Sequence, residues 1–150
     1  MSHTFINQFH HCVFSTKERR PLITPALQPR LFQYMGGVMK QNKIKLIAAG
    51  GIDDHVHLLI SMPATFNLSK ALQLIKGGSS KWIHENFAEH RFFEWQEGYG
   101  AFSIGVSDFE RTVKYINNQA EHHKKMDYKT EFLAFLKKHH IEYDERYVFD

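Results

Sequence analysis

His55-Val56-His57 lies within the run Gly51-Ile52-Asp53-Asp54-His55-Val56-His57-Leu58-Leu59-Ile60, and Tyr115 and Gln119 stand four residues apart further along the chain. In a strand, side chains alternate, so His55 and His57 project from one face while Val56, Leu58 and Ile60 line the other. Two imidazoles then converge over a surface whose reverse side is core. Neutral imidazole is a common ligand for divalent metals, and two on one rigid strand need only one or two more donors to close a site. On a helix, Tyr115 and Gln119 share a face, with β-carbons about 5–6 Å apart. A phenol and an amide thus address one place. The chain has six tyrosines, and only Tyr115 is followed at the fourth position by a carboxamide. A phenol with an ordinary pKa of about 10 is a poor nucleophile at neutral pH and needs a nearby cation or an activated electrophile. A metal held by His55, His57 and Gln119 supplies the latter by polarising a phosphoryl oxygen under attack.

The elements that must position these groups read as alternating strands and helices. Residues 4–15 form a first strand, ended by the charged turn Thr16-Lys17-Glu18-Arg19-Arg20-Pro21. A helix follows over 25–42, where Leu27, Leu31, Tyr34, Met35 and Val38 recur at three- and four-residue steps. Residues 45–50 and 55–62 read as two strands joined by a hairpin-like connection. Asn67 or Ser69 then caps a helix running to about Lys76, which Gly77-Gly78-Ser79-Ser80 interrupts or bends. Residues 92–96 and 101–106 read as extended. Ser107 and Glu110 form a capping box for a helix over 108–125. Residues 132–136 suggest a short helix, and 141–149 an extended end. The order strand, helix, strand, strand, helix, strand gives an α+β class and the ferredoxin-like pattern, an antiparallel sheet with helices packed on one face. The other face is left free for a site.

Composition sets the surroundings. With 150 residues, 43% of them apolar and 14% aromatic, the chain can bury one sizeable core and is expected to form a single domain. No run approaches a membrane span, and no basic start leads into an apolar stretch, so a cytoplasmic home is expected. One cysteine, Cys12, excludes an internal disulfide and a cysteine-based zinc knuckle, and its apolar neighbours suggest a buried thiol. The net charge of +3 is mild, yet the positive residues cluster, as in Lys17/Arg19/Arg20. That permits a polyanionic partner.

Taken together, these motifs resemble a known family. His55-Val56-His57 matches the paired-histidine motif of HUH nucleases, and Tyr115-Ile116-Asn117-Asn118-Gln119 resembles the signature of the single-tyrosine HUH transposases, a tyrosine and a glutamine separated by three residues. These comprise small insertion-sequence transposases and REP-associated tyrosine transposases. The resemblance extends to Phe14-Ser15-Thr16-Lys17, Lys76-Gly77 with Ser79-Ser80-Lys81-Trp82, and Trp95-Gln96-Glu97-Gly98-Tyr99-Gly100-Ala101-Phe102-Ser103. It implies a ferredoxin-like sheet presenting the histidines, with Gln119 completing a site for Mg²⁺ or Mn²⁺. It also implies attack by Tyr115 on single-stranded DNA, giving a 5′-phosphotyrosine and a free 3′-hydroxyl. The implied partners are single-stranded DNA with hairpins and a second copy of the chain, since insertion-sequence members are typically dimers and some REP-associated relatives monomers. No nucleotide cofactor is expected, in keeping with the lack of a Gly-x-x-x-x-Gly-Lys-Ser/Thr loop.

Other readings stay open. A lone His-x-His in a strand more often packs or hydrogen-bonds than binds metal. Lys17, Arg19, Arg20, Lys76, Ser79 and Lys81 are candidate DNA contacts, with Gly77-Gly78 allowing close approach of a phosphate backbone. A helix bend with solvated lysines is the plainer alternative. His122 and His123 can contact phosphate or assist proton transfer, or be solvated helix residues. Trp95, Tyr99 and Phe102 can stack on unpaired bases or pack the core. At the level of function, the alternatives are a domesticated nickase of repeat hairpins and a DNA-binding relative that has lost chemistry.

Overall fold

The structure, a computed structural model, describes residues 3–149. Four strands, β1 (Phe9–Ser15), β2 (Lys45–Ile52), β3 (His55–Ser61) and β4 (Gly100–Ile104), form one antiparallel sheet in the order β2-β3-β1-β4. Helices α1 (Leu27–Gln41) and α2 (Leu68–Asn86) connect β1 to β2 and β3 to β4. This is the ferredoxin-like arrangement. Strand β3 has a partner on each side, and His57 stands opposite Val13 of β1 and Gly50 of β2, while His55 stands opposite Ser15 and Ile52. Period two does the rest.

One face of the sheet, carrying Cys12, Phe14, Val56, Leu58 and Ile60, packs with the buried faces of α1 and α2 into the main core. Leu31, Met35 and Met39 come from α1, and Leu72, Ile75 and Ile83 from α2. The other face is not bare. Three further helices roof it: α3 (Phe109–Asn117), α4 (Gln119–His122) and α5 (Tyr128–Lys138). Ile116 of α3 closes over Ala48 and Leu59, with Phe109 and Val113 beside it. Tyr128, Phe132 and Leu136 of α5 close over Val13 and Phe102. The two histidines are sealed beneath this roof.

Several local expectations are corrected. Helix α2 runs unbroken through Gly77-Gly78-Ser79-Ser80, because Ala71, Leu72, Ile75, Ser79 and Ile83 maintain one buried face across it. The propensity cost of two glycines, about 1 kcal/mol each, is met by that packing. Asn67 does cap the helix, accepting from the Lys70 amide at 3.3 Å. Ser107 makes no side-chain cap: a 3₁₀ turn, Val106–Asp108, leads into α3 instead. The helix expected over 108–125 is broken at Asn118, whose φ of −110° and ψ of 24° separate α3 from α4. Residues 4–8 and 141–149 lie outside any strand, and residues 92–96 contribute only an isolated bridge from Trp95 to Thr16.

Helix α3 approaches the sheet without intervening side chains at one point. A methyl group on Gly50 would lie well inside contact distance of the Ile116 carbonyl oxygen. Gly50→Ala is therefore expected to destabilise the fold by about 1–3 kcal/mol, as overpacking does, read as a lowered urea midpoint. The Cys12 thiol is fully buried, and burial pushes its pKa up to about 12. At pH 8 the folded protein should resist alkylation by iodoacetamide and react only once denatured, because the thiolate is the reactive form.

Candidate active site

Strand β3 points both imidazoles at the roof, and each ring is held from behind. His55 donates from Nδ1 to Asp54 Oδ1 at 2.7 Å, and His57 Nδ1 lies 2.8 Å from Nε2 of His11 on β1. Carboxylate and imidazole partners of this kind fix a ring's orientation and tautomer at metal sites. In both rings Nε2 is left facing the centre.

Opposite them sits Glu131 of α5, 1% exposed. Its Oε1 lies 2.9 Å from His57 Nε2, 3.2 Å from His123 Nε2 and 3.6 Å from His55 Nε2. Its Oε2 accepts from the Tyr115 hydroxyl and lies 3.1 Å from His122 Nε2. The two oxygens thus divide the labour: one faces the imidazoles, the other the phenol. Burial disfavours the Glu131 anion, but the hydrogen bonds from His123 and His57 outweigh it and hold the carboxyl well below the usual range. Burial and then the Glu131 bond push the Tyr115 phenol above its ordinary value. Burial lowers His57 to about 4 against the pull of Glu131, and lowers His11 to about 3. For His123 burial is overcome by the Glu131 bond, and its pKa is raised.

Helices α3 and α4 bring the signature residues in. The Tyr115 ring centroid lies 5.8 Å from that of His57, and its hydroxyl is 3.0 Å from His122 Nε2. Gln119 is 2% exposed; its amide nitrogen donates to the Tyr115 carbonyl at 3.1 Å, which turns Oε1 toward His55 Nε2 at 3.4 Å. Tyr115, His55, His57 and Gln119 therefore meet in one place within a single chain. His55, His57, His123 and Glu131 each offer a ligand atom, all within 4.8 Å of one another, and can hold a metal ion. Three imidazole nitrogens and one carboxylate are a donor set of the kind that binds divalent cations.

The candidate DNA contacts divide. Lys17, Arg19 and Lys76 line one cleft of about 740 Å³ together with Trp95 and Phe149. Within it the Lys76 ammonium donates to the carbonyls of Gln96 and Gly98, and burial lowers its pKa to about 8. It fastens a loop before it could meet a phosphate. Ser79 is wholly buried, bonded to the Lys76 carbonyl and the Trp95 indole, so it is a packing residue rather than a DNA contact. Arg20 pairs with Glu18 at 3.2 Å, and Lys81 lies exposed 3.9 Å from Glu85. His122 and His123 are not solvated helix residues, since both side chains turn inward to Glu131. Phe102 is core, and Tyr99 is exposed at the surface.

Glu131 carried no signal in the sequence, because a lone glutamate twelve residues beyond Gln119 shares no spacing with the histidine pair. Its only trace was its position among Tyr128, Phe132 and Phe135, on the apolar side of a short helix. A second cleft, about 480 Å³, opens at Tyr115 between Arg111, Lys114, Asn118 and Lys125. Arg111 and Lys114 share α3 with the tyrosine, and Lys125 reaches the cleft from the turn after α4.

Fold and site together define an HUH-type protein: a ferredoxin-like sheet that sets a helical tyrosine against two strand histidines. The sequence profile described as "Transposase IS200 like" matches residues 4–119. The chain belongs to the IS200-like transposase family, the single-tyrosine HUH transposases. It is 25% identical over 129 residues to the transposases for insertion sequence element IS200 of Salmonella typhimurium and Salmonella typhi, covering 83% of this chain and 84% of each relative. Among solved structures, a protein of Deinococcus radiodurans assigned as a transposase superposes with a TM-score of 0.62 at 19% identity, over 79% of this chain and 96% of that one. A REP-associated tyrosine transposase bound to a REP hairpin superposes with a TM-score of 0.57 at 17% identity, over 77% and 68%. Among the described residues, no helix is long and apolar enough to cross a membrane.

The buried neutral histidines set a pH dependence for the metal-free protein. His57 and His11 take up protons near pH 6.5 when unfolded but only near 4 and 3 when folded. Between those limits the unfolded state binds more protons, so stability must fall as pH falls, by about 1.4 kcal/mol per pH unit for each fully offset group. His123, with its raised value, acts in the opposite sense above this window. Urea unfolding in chelator should give a markedly lower free energy at pH 5 than at pH 6.5, and a flatter profile in His11→Phe.

Proposed function

We propose that this protein is a metal-dependent transposase that cleaves and rejoins single-stranded DNA through a 5′-phosphotyrosine, with Tyr115 as nucleophile. The observation that carries the reading is the meeting of the Tyr115 hydroxyl, the strand histidines and a buried carboxylate in one pocket of one chain. His55 and His57 are the ligands of a divalent ion, Mg²⁺ or Mn²⁺, with Gln119 as a further donor. The chemistry such an ion supplies is polarisation of a phosphoryl oxygen.

The chain's own residues do the rest. Glu131 and His122 hold the phenol hydroxyl at a defined point, which reduces the entropy lost in reaching an in-line geometry. The phenolic oxygen bonds to phosphorus while the bond to the 3′ oxygen breaks, leaving a 3′-hydroxyl and a covalent protein–DNA link that conserves the broken bond. Attack by another 3′-hydroxyl reverses the step. Arg111, Lys114 and Lys125 offer cations to the strand's phosphates beside Tyr115, and Lys17 and Arg19 rim the cleft beside Trp95. The REP hairpin held by a structural relative supports hairpin-bearing DNA as the substrate class. A homodimer accords with the insertion-sequence type, although the tyrosine and both histidines here come from one chain.

Incubation with Mn²⁺ and single-stranded DNA from the flanks of its own gene should give a DNA-linked protein band on denaturing gels. Tyr115→Phe and a chelator should each abolish it. DNA binding without a band would favour a non-catalytic relative, and a band surviving Tyr115→Phe would remove Tyr115 from its role.

A further inference from the structure

We propose that Glu131 is a metal ligand of this site, and a stronger one than Gln119, so that one carboxylate joins the metal centre to the nucleophile. The inference rests on the metal reading given under Proposed function. It concerns a residue outside the stretch matched by the family profile, which ends at Gln119.

The argument begins with the protons. His55 gives its Nδ1 proton to Asp54, so in the neutral ring Nε2 carries only a lone pair. That lone pair faces Gln119 Oε1 at 3.4 Å and Glu131 Oε1 at 3.6 Å. The Gln119 amide cannot flip to offer a donor without giving up its bond to the Tyr115 carbonyl. His55 Nε2 and Gln119 Oε1, each 2% exposed or less, therefore face each other as two acceptors with no hydrogen between them, beside a Glu131 Oε1 that meets His57 and His123. Buried acceptors are ordinarily paired with donors. A cation shared by that nitrogen and oxygen, with the Glu131 carboxylate 3.6 Å from the nitrogen, would satisfy both.

Glu131 outranks Gln119 on charge and on reach. Its Oε1 lies within 3.6 Å of three imidazole nitrogens, whereas Gln119 Oε1 meets one. Mg²⁺ and Mn²⁺ favour anionic oxygen, and a carboxylate binds them more strongly than an amide carbonyl. His57 can adapt, because its Nδ1 contact with His11 Nε2 works with the proton on either ring. With the proton on His57 Nδ1, its Nε2 also becomes a donor of electrons. Oε2 accepts from the Tyr115 hydroxyl, so the same carboxylate would link a bound ion to the phenol.

The test is Mn²⁺ binding by electron paramagnetic resonance on the metal-stripped full chain, with circular dichroism to verify folding. Glu131→Gln should raise the Mn²⁺ dissociation constant at least tenfold, and Gln119→Ala should raise it less. Tyr115→Phe, which touches only Oε2, should leave it within threefold. If Glu131→Gln binds Mn²⁺ within twofold of the parent, or Gln119→Ala loses more, the inference is overturned. Should Glu131→Gln fail to fold, Glu131→Asp decides: it keeps the charge but withdraws the carboxylate by one methylene, and an unchanged dissociation constant counts against the ligand. A folded parent that binds no Mn²⁺ would sink the metal reading itself, a failure distinct from loss of Glu131's place within it.

Discussion

A carboxylate buried without partners costs several kcal/mol, and the site face of this protein is organised around preventing that cost for Glu131. Its two oxygens meet His57, His123, Tyr115 and His122, which come from β3, α4 with the turn after it, and α3. One side chain of α5 thereby ties together β3, α3 and α4 around the site. Two of the groups that satisfy the charge, His57 and Tyr115, are also ones the proposed chemistry would use.

The second constraint is the place of β3 in the sheet. A strand with neighbours on both sides and helices above and below is buried on both faces, so residues 55 to 60 are all fully buried. On one face the alternation supplies Val56, Leu58 and Ile60 to the core. On the other it holds two imidazoles with little freedom, each braced at Nδ1 by Asp54 or His11. Preorganisation of this kind removes the rotamer entropy that two free histidines would lose on taking up a ligand.

The surface tells a more restrained electrostatic story. A net charge of +3 would give weak steering if evenly spread, but Arg111, Lys114 and Lys125 outnumber Glu121 around the cleft at the tyrosine, whereas Glu18, Glu94 and Glu97 offset the cations of the cleft beside Trp95. Not every lysine in a cleft is available. Lys76 is drawn onto two carbonyls and lies over the rings of Phe14 and Tyr99, a structural use of a charge that resembled a phosphate contact.

The order of strands and helices along the chain, the two core helices and the pairing of His55 with His57 were legible because they follow from local rules: a period of two or 3.6, turn residues, and the fixed projection of side chains from strand and helix. So were the roles of Tyr115 and Gln119 as neighbours, through their four-residue spacing. The unbroken α2 was misread because local propensity at Gly77-Gly78 is a weak force beside a continuous buried face. The break at Asn118, the inward turn of His122 and His123, the withdrawal of Ser79 and the arrival of Glu131 belonged to tertiary structure alone. Each depends on which helix lands on which strand, a matter of contacts between residues far apart in the chain. The sequence by itself determined which groups could do chemistry and on which face of an element they stand; only the packing of α3 to α5 over the sheet decided that a carboxylate would sit among the imidazoles, because burial lets a charge persist only where its partners have already been assembled.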